Sequence, residues 1–282
     1  MKIKEIVSAL ERFAPLPLQD GFDNAGLQVG LTEAEATGAL LCLDVTEAVV
    51  DEAVMLGYNL IISHHPLIFK GYKSIIGRDY IERCVLKAIK NDIVIYSAHT
   101  NLDNAPGGVN YKIAEKIGLI LPAFKKAAVI KALLATHPYE EPAFDFYPLK
   151  NTWTQVGSGV VGELEEPEAE LDFLKRIKKT FEVGCLRHTR LSGRLIQKVA
   201  LCGGAGAFLL PKAVSADADV FITGEVKYHD YFNYENDILV AEMGHYESEQ
   251  YTKEIFYSII QEMFPELEVQ ITRVNTNPIK YL

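Results

Sequence analysis

Short apolar, often β-branched runs recur along the chain, separated by longer stretches in which apolar residues return every three or four positions. The runs Ala39–Leu43, Leu60–Ser63, Ile93–Ser97, Lys198–Cys202, Val220–Thr223 and Ile238–Glu242 read as strands, each short, continuous and suited to burial on both faces. Helical spacing occupies Lys2–Phe13, Thr46–Leu56, Arg78–Asn91, Gly108–Ile117, Glu168–Phe181, Gly206–Ala216 and Glu247–Met263. Thr46, followed by Glu47 and an apolar run, is placed to start a helix just after the strand ending at Leu43-Asp44. Strands alternating with helices predict an α/β fold with largely parallel or mixed sheets. The pattern divides into a first α/β lobe over residues 1–124, a short insertion over 125–153 and a second α/β lobe over 154–282. The insertion carries a short helical stretch, Val129–Ala135, a rigid turn at His137-Pro138-Tyr139-Glu140-Glu141-Pro142, and strand-like alternation over Ala143–Tyr147.

Composition narrows the class. The 282 residues are 49% hydrophobic and 23% charged, the balance of a globular protein. No apolar run reaches the eighteen or so residues of a membrane span, and the N-terminus lacks a secretory pattern, so a cytoplasmic location is expected. A formal charge of −10 disfavours nucleic acid as a partner, because such surfaces draw affinity from clustered Lys and Arg. Cys42, Cys84, Cys185 and Cys202 form no C-x-x-C pair and read as buried free thiols.

Three of the strand ends carry the chemistry. Leu60–Ser63 runs into His64-His65-Pro66, and ligands of open α/β sheets gather at the carboxyl ends of strands. Alone, a His-His pair is more often structural. Ile93–Ser97 leads to His99 and Asp103, a carboxylate of the kind that bridges cations. Ile238–Glu242 leads to Gly244-His245, and Glu249 four residues on shares a helical face with His245. Three strand ends delivering His, two of them with a carboxylate, point in a chain of seven histidines to a metal site. Imidazole and carboxylate without thiolate suit Zn, Fe, Mn or Ni. The glycines of Cys202-Gly203-Gly204-Ala205-Gly206 offer backbone N–H groups to an anion, and Glu225, Lys227 and His229 follow another strand end, where they could orient substrate or move protons.

These residues resemble the NIF-three-like dinuclear metal proteins, also known as GTP cyclohydrolase 1 type 2 homologues. The resemblance rests on Asp23-Asn24-Ala25-Gly26-Leu27-Gln28-Val29-Gly30, Ser63-His64-His65-Pro66-Leu67, His99-Thr100-Asn101-Leu102-Asp103, Thr223-Gly224-Glu225 with Lys227-Tyr228-His229-Asp230, and Gly244-His245 with Glu249. It implies two divalent metal ions on His64, His65, Asp103, His245 and Glu249, with a bridging carboxylate, in a cleft between two similar lobes. It also implies a ring-shaped homohexamer. The longest family members carry a complete domain between the lobes, of which only His137–Pro142 has a counterpart here. The expected activity is metal-dependent hydrolysis of a nucleotide, C–N or phosphoester bond, with His99, Lys227 and His229 as candidate catalytic groups. The alternative is a non-catalytic metal-binding adaptor or metal-handling protein.

Overall fold

Two mixed sheets carry the molecule, and a computed structural model describes residues 1–120 and 156–282. The segment 125–153 and the elements read within it lie outside the described residues. In the first sheet the strands are β1 (Gly26–Val29), β2 (Ala39–Cys42), β3 (Leu60–Ser63), β4 (Val94–Ser97) and β11 (Val269–Ile271), in the order β1-β4-β3-β2-β11. The second contains β5 (Leu119–Ile120), β6 (Val160–Ala169), β7 (Arg187–His188), β8 (Leu195–Cys202), β9 (Val220–Thr223) and β10 (Leu239–Glu242), in the order β5-β6-β8-β9-β10-β7. Each sheet has a parallel core of three strands, β2-β3-β4 and β8-β9-β10, and an antiparallel strand alongside the last of the three, β1 on β4 and β7 on β10. The two lobes therefore repeat one topology. They also exchange edges, since β5 pairs with β6 and the late strand β11 pairs with β2.

Period-two alternation explains the layers. Ala39, Leu41, Leu60, Ile62, Val94 and Tyr96 face a central core that they share with Val199, Leu201, Val220, Ile222, Leu239 and Ala241 of the other sheet. Into that core also pack Ile3, Ile6 and Leu10 of α1 (Ile3–Phe13), Val109 and Ile113 of α5 (Val109–Ile117), Phe173 and Ile177 of α6 (Glu170–Thr180), and Phe256 and Ile260 of α10 (Thr252–Met263). The intervening strand residues Leu40, Cys42, Ile61 and Ile95 meet α2 (Glu47–Leu56) and α3 (Tyr80–Lys90) through Val49, Val50, Cys84 and Val85. On the second sheet Ala200, Phe221 and Val240 turn to Leu210 and Ala213 of α7 (Leu210–Ser215). Burial on both faces is what makes these parallel strands read as unbroken apolar runs.

Capping fixes where the helices begin and end. Thr46 accepts from Val49 N at the start of α2, and Gly57, at φ 72°, closes it in the left-handed conformation that glycine adopts without steric cost. The helix predicted over Glu247–Met263 is two helices, α9 (His245–Glu249) and α10, with Tyr251 as the N-terminal cap of the second. Cys42, Cys84 and Cys202 are buried as expected, whereas Cys185 is exposed.

Candidate metal centre

Because β2, β3 and β4 are parallel, as are β8, β9 and β10, each trio delivers its carboxyl ends to one edge, and the two edges meet. From the first come Asp44, His64, His65 and His99, with Asp103 on the short helix α4 (Thr100–Asn104). From the second come Gly203-Gly204, Gly224-Glu225 and, on α9, His245 and Glu249. Three groups have ligand atoms within 4.8 Å of one another: His64, Asp103 and Glu249; His65, His245 and Glu249; and His64, His65 and His99.

Glu249 stands between the first two. Its Oε1 lies 3.8 Å from His64 Nε2, which is 3.7 Å from Asp103 Oδ1. Its Oε2 lies 3.0 Å from His65 Nε2 and 3.1 Å from His245 Nε2, and those two nitrogens are 3.3 Å apart. The carboxylate shared by the two sets is thus Glu249, whereas Asp103 belongs to one set.

The far side of each ring is also held. His64 Nδ1 lies 2.9 Å from Ala98 O, His65 Nδ1 2.7 Å from Asp44, His99 Nδ1 2.8 Å from Asp23 and His245 Nδ1 2.8 Å from Glu225. An acceptor at Nδ1 fixes the tautomer, placing the proton there and leaving Nε2 as a lone-pair donor, the arrangement found behind metal-bound histidines. Asp23 is itself fastened by Asn24 N, Thr100 N and the Thr100 hydroxyl.

The residues fit divalent cations, as groups that could hold a metal ion. His64 Nε2 and Asp103 Oδ1 are buried with no hydrogen-bond partner, a costly state that a cation between them would relieve. The donor set is imidazole and carboxylate, the chemistry suited to Zn, Fe, Mn or Ni. Electrostatics say the same. Burial and the charge of Glu249 push the Asp103 carboxyl up to about 8. Burial opposes protonation of His65, but hydrogen bonds to Asp44 and Glu249 outweigh it and raise its pKa to about 10. In the same way the bond to Glu249 overcomes burial and raises His245 to about 9. Glu249 is buried too, yet His245, His64 and His65 hold it well below the usual carboxylate range. The metal-free cluster thus retains protons where cations would otherwise supply positive charge.

The glycine loop after β8 does not cradle an anion. Gly203 N donates to Asn110 Oδ1, Gly204 N to the Ser248 hydroxyl and Gly206 N to the Thr223 hydroxyl. Its glycines instead permit close approach, for a Cβ on Gly204, at φ +59°, would collide with Glu249 Oε1.

Of the predicted proton-transfer groups, His99 is in the cluster, its ring 5.2 Å from His64 and 5.5 Å from His65. His229 is not. It is exposed and packs against Tyr228 and Phe232. Lys227 caps the helix α8 (Tyr228–Tyr234) and lines a neighbouring hollow of about 910 Å³. Asp44, unassigned from sequence, holds the His65 ring, and Glu225, read from sequence as a group to orient substrate or move protons, holds the His245 ring; the signal of both is a carboxylate just beyond a parallel strand. The cluster floors a cavity of about 370 Å³ rimmed by Phe22, Phe69 and Phe208, all exposed aromatics.

The chain is similar to known proteins over its full length. A family model described as Duf34/NIF3 (NGG1p interacting factor 3) matches residues 1–278. A Staphylococcus aureus protein named GTP cyclohydrolase 1 type 2 homolog is 28% identical over 369 aligned positions, covering all of both chains. That alignment is longer than this chain, so the relative carries residues with no counterpart here. The crystal structure of a Staphylococcus aureus protein superposes with a TM-score of 0.83 at 32% identity, covering 100% of this chain and 99% of that one. A Bacillus cereus protein related to NIF3 gives 0.83 at 28% identity, with the same coverage.

Proposed function

Since the chain belongs to the Duf34/NIF3 family, we propose that it is a metal-dependent hydrolase whose two divalent ions sit on His64, Asp103 and Glu249 and on His65, His245 and Glu249. The observation that carries this reading is the single carboxylate, Glu249, shared by two ligand sets whose imidazoles all have their Nδ1 atoms engaged. When bound, such a pair supplies Lewis-acid activation of water and of the bond under attack.

The chain's own groups do the rest. His99, with Nδ1 held by Asp23, presents Nε2 to the cavity as the proton acceptor, and Asp23 stabilises the imidazolium that results. Burial disfavours ionised Asp23, yet bonds from His99 and Thr100 hold its pKa down at about 2, so it remains an anion throughout the working range. Phe22, Phe69 and Phe208 form an apolar rim that shields the reacting bond from bulk water. Lys227 and His229, away from the cluster, have no part in this scheme.

The test is turnover of a panel of nucleotides, phosphoesters and cyclic C–N substrates with Zn, Fe, Mn or Ni restored. A substrate should be turned over in a way that His99→Gln slows by about 10²–10⁴-fold without loss of metal. Uniform inactivity with both metals held would overturn catalysis and leave metal handling as the function.

A further inference from the structure

The C-terminal residues run across the metal edge of both sheets. β11 pairs in parallel with β2, and Thr272 N continues the ladder to Leu41 O, so the chain leaves the sheet at the edge where β2 delivers Asp44. The Thr276 hydroxyl then donates to Asp44 Oδ2 at 2.7 Å. Next, Asn277 Nδ2 donates to Glu247 Oε1 at 3.1 Å, and Glu247 lies on α9 between His245 and Glu249. Asn277 is locked by its own turn, with N bonded to Asn275 Oδ1 and Oδ1 accepting from Ile279 N. Tyr281 finally packs against Gly184 of the second lobe.

Asp44 shows why this path matters. Among the described residues its carboxylate has two hydrogen-bond partners, His65 Nδ1 through Oδ1 and Thr276 through Oδ2. By contrast Asp23, behind His99, is fastened by its immediate neighbour Asn24 and by Thr100. Without Thr276 the Asp44 carboxylate could turn about its side-chain bonds, and the His65 ring would lose its orienting acceptor.

We propose that the C-terminal segment is a positioning strap for the metal centre. Thr276 sets Asp44, and through it His65, while Asn277 fixes α9 from the other lobe, so that the strap holds the span between the half-sites that His65 and His245 bring together. This inference rests on the dinuclear reading above. It assigns the strap to one of the two ions, the one on His65, His245 and Glu249; among the described residues the strap's hydrogen bonds reach Asp44 and Glu247, not His64 or Asp103.

The experiment titrates Zn²⁺ into full-length metal-free wild type, Thr276→Val, Thr276→Ser, Asp44→Asn and the Thr276→Val/Asp44→Asn pair by calorimetry, and counts bound zinc after gel filtration. Wild type should take two ions per chain. Thr276→Val should keep one and bind the second about 10- to 100-fold more weakly, the usual cost of losing a partner behind a ligand. Thr276→Ser, which retains the hydroxyl, should restore it. In the double variant the losses should not add, because both changes act on one ring. If Thr276→Val fails to fold, Thr276→Ala under the same titration replaces it. Two undiminished sites in the Val or Ala variant, an equal loss at both sites, failed rescue by Ser, or additive losses would each overturn the strap while leaving the dinuclear reading intact. Failure of wild type to bind a second ion would overturn both.

Discussion

The imidazoles of the candidate metal cluster are all held at their second nitrogen. His64 hands Nδ1 to a backbone carbonyl, and His65, His99 and His245 hand theirs to carboxylates; the Nε2 atoms are left to converge. Asp103 is the residue with most at stake, since burial near Glu249 already drives it toward its protonated form. Asp103→Asn keeps the shape and removes the charge. Metal content should fall from two ions to one, the survivor on His65, His245 and Glu249, while the metal-free variant melts no lower than metal-free wild type; elemental analysis and thermal denaturation check the two halves. The gathering of His64, His65, Asp103, His245 and Glu249 in one cluster was foreshadowed in the sequence because each follows an apolar strand. Asp44 follows a strand too, but a lone acid there has the look of ordinary turn chemistry, and only the imidazole opposite gives it meaning; Glu225, read from sequence as a substrate or proton group, holds the His245 ring instead.

At the scale of elements, legibility tracked burial. β3 and β9 were read to the residue because both faces of each are covered, which leaves a continuous apolar run. β1 was missed because Leu27 is exposed beside the polar Gln28, and β6 because its acid-rich run, with Pro167, resembles a loop. β11 could not be found by local pattern at all, since what makes it a strand is pairing with Ala39, Leu40 and Leu41 at the far end of the sequence. The break between α9 and α10 was hidden for a related reason. Helical periodicity persists through it, and the role of α9 comes from its contacts with the first lobe. His245 and Glu249 nevertheless share a face as their spacing implied, their atoms 3.1 Å apart, while Glu247 turns away to Asn277.

For the molecule as a whole, the repeated topology places two half-sites edge to edge, and their stability without metal depends on protons. His65, His245 and Asp103 have folded-state pKa values of about 10, 9 and 8, all above their ordinary values. The folded metal-free protein therefore binds more protons than the unfolded chain over this range, and its stability must decline as pH rises. The histidine contributions are fully present below about pH 6.5 and are lost as pH climbs through 9 and 10. The melting temperature of metal-free protein should fall between about pH 7 and pH 10, whereas the metal-loaded protein, having released the protons of these groups on binding, should not follow it. Differential scanning calorimetry of both forms across that range reads the difference, and parallel curves would count against proton–metal exchange at this cluster.

In the dinuclear reading one buried carboxylate, Glu249, joins two metal sites. This link is tested most directly by counting metal in protein purified without chelators or a nickel column, with Glu249→Gln alongside. Two divalent ions per wild-type chain are expected, with both sites weakened together in the variant, because Glu249 Oε1 and Oε2 face separate ligand sets. A wild-type chain that holds one ion at saturation, or a Glu249→Gln chain that keeps either site at full affinity, would contradict the link.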